Sequence, residues 1–232
     1  MSGNPPAPIG LVKQTWLVFR KEMLTEWRDR SRVSGVFFFS LAILIMVAFS
    51  TPQSSTLPKI AGGALWLGLM LASTRSLDQS YAVEHEHGAM EGLLLWPVEP
   101  IAIYYGKAVA NTAILIAVAI LMLPLMLAMY NVDVKGDPLL LMGVVVAGCA
   151  ALAAPGTLYG LITSQARGSS VLLPLLLFPL VVPAIMAASN ATSKILHGDP
   201  MDQASAWFGV LLAFNAMHWS LMGLVYGKIL ED

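Results

Sequence analysis

The chain has 232 residues, of which 57% are apolar and only 12% are charged, and its mean hydropathy is +0.72. Soluble domains usually carry about 25% charged residues, so this composition excludes an ordinary soluble domain and predicts a membrane protein. The net charge of −1 gives no indication of nucleic-acid binding. The single cysteine, Cys149, excludes an intramolecular disulfide and a cysteine-based metal site.

The first predicted element is a basic amphipathic helix within residues 9–32. Its apolar residues recur at spacings of four and three and form one helical stripe: Val12, Trp16, Phe19, Met23 and Trp27. Its basic residues lie off that stripe: Lys13, Arg20, Lys21 and Arg28. A basic helix with tryptophans on its apolar face should lie in the membrane interface. The alternative is a soluble helix packed on the protein's own loops.

Six charge-free stretches predict six transmembrane helices, since about 20 apolar residues cross about 30 Å of hydrocarbon. They are 33–58, 60–74, 108–132, 138–166, 168–193 and 203–227. The second stretch is short and must extend past Lys59 or Arg75, whose long side chains can reach the interface. The third is expected to begin near Ile101, with Lys107 in its first turns. The expected fold is an all-α polytopic membrane protein, with an N-terminal amphipathic helix in 1–32 and a membrane domain in 33–232.

Positive charge predicts the orientation of these spans. With a cytoplasmic N-terminus, ten Lys and Arg residues lie on the cytoplasmic side and three on the outer side, as the positive-inside rule requires. An even number of spans returns the C-terminus to the cytoplasm. The loop at 78–97 is then cytoplasmic as well.

The fourth and fifth spans are predicted to be irregular. Only Arg167-Gly168 separates them, which predicts a very tight turn. Three prolines fall within ten residues of the fifth span: Pro174, Pro179 and Pro183. Each removes a backbone hydrogen bond, so the pattern predicts a bent or broken helix. A moving or re-entrant element and static packing of an irregular helix both remain open.

The densest polar stretch is the cytoplasmic loop at 78–97. Asp78 is expected to cap a short helix here, and the apolar run at 93–96 returns the chain to the bilayer before Pro97. The loop also holds His85 and His87 among acidic residues. Their i,i+2 spacing places the two imidazoles on different faces of a helix. This favours an acidic surface facing solvent or a partner over a metal site.

His218 is the titratable residue deepest in the predicted spans. Haem ligation or a proton relay would make it functional, but no acidic residue accompanies it within the spans. A neutral histidine bonded to a neighbouring helix is therefore the favoured interpretation. The sequence also lacks the G-x-x-x-x-G-K-[ST] phosphate loop. We expect a non-catalytic subunit that binds no cofactor or metal directly and takes energy from a partner.

Three motifs resemble the CcmB family, and the resemblance runs through nearly the whole chain. The first is Glu84-x-x-x-Gly88-x-Met90-Glu91-x-Leu93-Leu94-Leu95-x-Pro97, with Lys107 ten residues later. The second is Ala154-Pro155-Gly156 in the fourth span. The third is Arg167-Gly168-Ser169, continuing into Leu172-Leu173-Pro174 and Pro179-Leu180-x-x-Pro183. Their order and spacing within a six-span chain make the match specific.

The resemblance implies a type 2 ABC exporter permease in the bacterial inner membrane, acting in cytochrome c maturation. ATP would bind a CcmA-like ATPase. Haem would bind CcmC-like and CcmD-like subunits and a periplasmic CcmE-like chaperone, which the complex loads or releases. A second copy of the chain would supply the other half of the permease, and the N-terminal helix would be its elbow helix.

The resemblance also assigns expected residue roles. The ATPase-coupling interface within 78–97 would hold Glu84, Gly88, Glu91, Leu94 and Pro97. Transmission or structural roles would fall to Lys107, Pro155, Gly156, Arg167, Gly168, Pro179 and Pro183. Two other functions remain open. The chain could be an ABC permease that exports another amphiphile, such as a lipid or a drug-like compound, or it could be a passive membrane scaffold.

Overall fold

A computed structural model describes residues 10–52, 55–86, 99–165 and 172–231, and these residues form seven α-helices without a strand. The helices are α1 (Leu11–Arg28), α2 (Ser31–Ser50), α3 (Leu57–Glu86), α4 (Pro100–Tyr130), α5 (Pro138–Gln165), α6 (Leu172–His197) and α7 (Gln203–Glu231). Each helix from α2 to α7 is long and apolar enough to cross a membrane. The predicted all-α, six-span membrane protein with an additional N-terminal helix is confirmed.

The span boundaries follow the prediction closely, with one correction. The second span extends past both Lys59 and Arg75, and the third begins at Pro100 with Lys107 two turns inside it. However, α3 continues unbroken through Asp78 to Glu86, so the prediction that Asp78 caps a new helix is wrong. The reason is that neither glycine nor proline occurs between Gly68 and Gly88, so nothing in the chain ends α3 at the membrane boundary.

The six crossings sort the helix ends into two groups. The starts of α2, α4 and α6 and the ends of α3, α5 and α7 lie at one end of the bundle, which is the end predicted to be cytoplasmic. The ends of α2, α4 and α6 and the starts of α3, α5 and α7 lie at the other end. There the amide of Gly136 donates to the carbonyl of Ile195 across 2.8 Å. Gly198, with φ of 84°, ends α6 in the left-handed conformation that glycine adopts without strain.

Helices α3 and α5 form the centre of the bundle. In the most apolar stretch of these two helices, 61% and 67% of the residues are buried, whereas in each of the other four spans the share is 33% or less. Trp66 of α3 is fully buried and donates its indole N–H to the hydroxyl of Thr192 on α6 across 2.9 Å. A Cβ on Gly148 of α5 would lie only 2.0 Å from the Trp66 ring. Close packing of small residues against this tryptophan therefore brings α3 and α5 together.

The described part of the fifth span, Leu172–His197, is a continuous helix, so the prolines do not break it there. Pro174 lies in the first turn of α6, where a missing N–H leaves no intrahelical bond unmade. Pro179 and Pro183 lie inside the helix, and their i,i+4 spacing places both on one exposed face. The helix can therefore pack its opposite face, which carries Leu177 and Val181, against the bundle without interruption.

Candidate functional site

A buried ion pair joins α1 to the first turns of α4. The ammonium of Lys107 lies 3.1 Å from Oε1 of Glu22, and the two side chains are only 1% and 10% exposed. Burial by itself would raise the pKa of Glu22, but the positive charges of Lys107 and Lys21 outweigh it and hold that pKa below its ordinary value of 4.5. The pair therefore fixes α1 against the bundle through a carboxylate that stays ionised at neutral pH.

A second polar contact runs from α1 through α2 into the core. Nε of Arg32 lies 3.2 Å from Oε2 of Glu26, while Oε1 of the same carboxylate accepts the amide of Val33 at the start of α2. Arg32 also donates to Asn111 of α4 across 3.1 Å, and Asn111 donates to the hydroxyl of Thr157 on α5 across 3.0 Å. Four helices are thus connected by one chain of buried polar groups, which is costly to disrupt at any member.

The contact between α1 and α4 is also close in its apolar part. A Cβ on Gly106 would lie 2.5 Å from Cβ of Val18 and 3.0 Å from the carbonyl oxygen of Thr15. Only glycine at this position allows α1 to approach so closely. About two turns before Gly106, at the N-cap of α4, the backbone N–H of Glu99 donates to Oε1 of Gln14 across 2.9 Å. α1 therefore holds the residue at which the chain emerges from the segment 87–98.

The predicted apolar stripe of α1 is exposed at Val12 and at its two tryptophans and half-buried at Phe19 and Met23. Trp16 is 59% exposed and Trp27 is 74% exposed, whereas Gln14 and Val18 are buried. The helix packs on α4 rather than on loops, and it turns its tryptophans away from the protein. Location of this stripe in the membrane interface remains a prediction, and the arrangement is the one that an interfacial helix needs.

The predicted coupling segment lies largely outside the described residues. Gly88, Glu91, Leu94, Pro97 and His87 belong to 87–98, and for Glu84 and His85 the structure gives the backbone, which lies in α3. The helix that leads into the segment is well fixed. Leu77 is buried, and a Cβ on Gly156 of α5 would lie 2.3 Å from its Cδ1. Gly156 therefore allows α5 to contact α3 closely at Leu77, the residue that precedes the segment 78–97.

The other predicted structural residues fall in three places. Pro155 is buried within α5, beside Gly156. Pro179 and Pro183 lie on the exposed face of α6. Arg167 and Gly168 lie between α5 and α6, outside the described residues, so the predicted tight turn stays a prediction. The structure thus brings Lys107 and Gly156 into the packed region around α4 and α5 and leaves the two α6 prolines apart from it.

His218 is buried in α7, and its hydrogen bond differs from the expected one. Its Nδ1 donates to the carbonyl oxygen of Phe214 in the same helix across 2.9 Å, and its ring stacks on Phe214 at 3.8 Å. The prediction of a bond to a neighbouring helix is therefore wrong. The carbonyl four residues earlier is simply the nearest acceptor, as it is for serine and threonine in helices.

Sequence reasoning missed the acidic half of the polar network. Glu22 and Glu26 lie four residues apart and continue the buried edge that Gln14 and Val18 begin. Among the basic residues of α1 they were hard to distinguish from charges exposed to solvent. The available signal was Lys107, because a lysine inside an apolar span needs an acidic partner.

Comparison with known proteins covers nearly the whole chain. A family model described as CcmB protein matches residues 13–230, which include most of α1 and all six spans. The chain is similar to Heme exporter protein B of Pseudomonas aeruginosa, with 26% identity over 197 residues, 85% of this chain and 88% of that protein. It is also similar to proteins of the same name in Rhodobacter capsulatus, with 30% identity over 164 residues (71% and 75%), and in Escherichia coli K12, with 27% over 224 residues (87% and 91%).

Proposed function

The chain belongs to the CcmB family, and on that basis we propose that it is the membrane permease subunit of an ABC transporter complex for cytochrome c maturation. A partner ATPase hydrolyses ATP, and the complex uses that energy to load or release a periplasmic haem chaperone. Family membership, the name of the relatives and the multi-pass fold support this assignment. The chain itself performs no catalysis in this proposal.

The observation that carries the proposal is the buried connection between α1 and the start of α4. It lies directly beyond the segment 78–97, which we propose as the contact with the ATPase. Glu99, the first described residue after that segment, is held by Gln14, and Lys107 is held by Glu22 two turns further along α4. A passive membrane anchor has no need for a pair of charges buried at this point, since such pairs rarely add net stability.

The helices on both sides of the segment are suited to transmit displacement. α3 has 30 residues, a length of about 45 Å, and the part that is apolar enough to span the membrane ends at Asp78. Its last two turns therefore extend toward the ATPase side. A push on the segment would act on α3 and α4 together. Contacts as close as that between Leu77 and Gly156 leave no room for α3 to move without α5.

We place haem on the partner subunits rather than on this chain. The ring of His218 is stacked on Phe214 and is only 2% exposed. A haem ligand needs an accessible ring nitrogen and a pocket for the macrocycle. The partners of the proposal are a CcmA-like ATPase, CcmC-like and CcmD-like membrane subunits, a CcmE-like chaperone and a second copy of this chain.

Deletion of the gene tests the proposed function. The deletion strain should lack c-type cytochromes detected by covalent haem staining, while its b-type cytochromes and total haem stay near the wild-type level. Plasmid-borne wild-type protein should restore the staining. Normal covalent haem attachment in the deletion strain would overturn the proposal and favour export of another amphiphile.

A further inference from the structure

A cleft of about 460 Å³ opens on the side of the bundle between α2, α3 and α6. It lies where the apolar part of α3 ends, at the same end of the bundle as the start of α4. Its apolar walls are formed by Phe39, Leu71, Pro174 and Phe178. The cleft therefore lies at the depth where phospholipid headgroups meet the hydrocarbon, and it is separate from the α1–α4 contact.

Two opposite charges line this cleft. The guanidinium of Arg75 is exposed and lies 5.7 Å from the centre of the Phe39 ring, so an aromatic face holds it in place. Asp78 follows one turn later on α3 and is half-buried. Within the described residues, no ion pair joins either side chain to a partner. An arginine and a carboxylate are thus presented side by side at the edge of the membrane.

We propose that this cleft binds a phospholipid whose headgroup carries a primary amine, the phosphatidylethanolamine class. The lipid phosphate pairs with Arg75, whose planar guanidinium matches phosphate oxygens. The ammonium two carbons away pairs with Asp78. An acyl chain lies along Leu71 and Phe178, which continue the cleft toward the hydrocarbon. This site is independent of the proposed transport function.

The pair of charges selects among lipid headgroups. A purely anionic headgroup would satisfy Arg75 but would place its negative charge beside Asp78. A choline headgroup carries the same charges as ethanolamine, but its methyl groups remove the N–H donors that Asp78 accepts. Free phosphate lacks the acyl chain that the apolar walls receive. Ethanolamine is therefore the headgroup that satisfies both side chains.

Native mass spectrometry of the purified, delipidated full chain tests the site. Phosphatidylethanolamine, phosphatidylcholine and phosphatidylglycerol with identical acyl chains are titrated in turn. Wild-type protein should bind the ethanolamine lipid about threefold more tightly than the choline lipid, as the net gain from one additional hydrogen bond allows. Arg75→Gln should weaken binding of all three lipids about fivefold, the equivalent of about 1 kcal/mol for one basic residue at a lipid surface. Arg75→Lys should weaken it less.

Asp78→Asn provides the second and sharper readout. It removes the charge and leaves a weaker neutral acceptor, so it should reduce the preference for ethanolamine over choline while the phosphate contact with Arg75 remains. Lys135→Gln, an exposed change in the 131–137 connection at the other end of the bundle, is the matched control and should change neither value. Thermal unfolding of each variant in the same detergent shows that it is folded.

Three results would overturn the proposal. One is equal binding of the three lipids by wild-type protein. Another is a preference for phosphatidylglycerol, which would mean that the cleft selects net negative charge. The last is an Arg75-dependent dimer with no Arg75-dependent lipid binding, which would mean that a second copy of the chain occupies the cleft.

Discussion

Replacement of Lys107 by methionine should destabilise the protein strongly. Methionine keeps the length and volume of the side chain, so the change removes charge without opening a cavity. It leaves the carboxylate of Glu22, 10% exposed and formerly 3.1 Å from the ammonium, without its principal partner. Removing one partner of a buried pair costs about 3–5 kcal/mol. Because Lys21 lies 3.5 Å from the same carboxylate, we expect the lower end of this range.

The double variant Lys107→Met with Glu22→Gln separates the loss of the pair from the cost of a stranded charge. The glutamine side chain carries no charge that burial would penalise, so the double variant should recover at least about 2 kcal/mol relative to Lys107→Met alone. The matched control is Lys59→Met, an exposed lysine of α3, which should change stability by about 0.5 kcal/mol or less.

The measurement is reversible unfolding of the purified full chain in mixed micelles with increasing dodecyl sulfate, followed by tryptophan fluorescence. The free energies of the wild-type, the two single variants and the double variant form one thermodynamic cycle. A Lys107→Met variant as stable as the Lys59→Met control would refute the reasoning. Strict additivity of the two single changes would refute it as well, because it would mean that the two charges do not interact.

Three further predictions concern α1. As pH falls from about 4.5, thermal stability should decline, because the lowered pKa of Glu22 makes its ionised form a source of stability that protonation removes. In the Glu22→Gln variant, the melting temperature should depend less on pH between pH 5 and 3 than it does in the wild-type protein. An unchanged dependence on pH would contradict this. Gly106→Ala should cost about 1–3 kcal/mol by overpacking against Val18, and adding Val18→Ala should restore part of it in the same unfolding assay; no loss in the single variant would contradict the close contact. Lipids brominated near the headgroup should quench Trp16 and Trp27 fluorescence, so changing both to phenylalanine should reduce the quenched fraction; an unchanged fraction would place the stripe outside the interface.

The transmembrane part of the fold was predictable because it depends on local composition. A run of about 20 apolar residues forms a spanning helix whatever its neighbours are, and α2 and α4 follow that rule closely. The continuity of α3 beyond Asp78 was readable too, from the absence of glycine and proline before Gly88. The prolines of α6 do not break the helix, and both Pro179 and Pro183 lie on its exposed face.

The polar network was less predictable because its partners are far apart in the sequence. Lys107 and Glu22 are separated by 85 residues, and Arg32 and Asn111 by 79. Helical periodicity gives the face on which each residue lies but not the helix that the face meets. The helix α1 itself was predicted from its periodicity, whereas the role of the edge that carries Gln14 and Glu22 becomes clear only when α4 is packed against it.

The most direct test of the account is the ATPase rate of the assembled complex with charge reversed in the proposed coupling segment. Glu91→Lys should lower that rate clearly while the purified complex keeps its subunit composition. Asp133→Lys, an exposed charge reversal in the connection at the opposite end of the bundle, should leave the rate at the wild-type level. An unchanged ATPase rate in an intact Glu91→Lys complex would contradict the account and make the chain a passive scaffold.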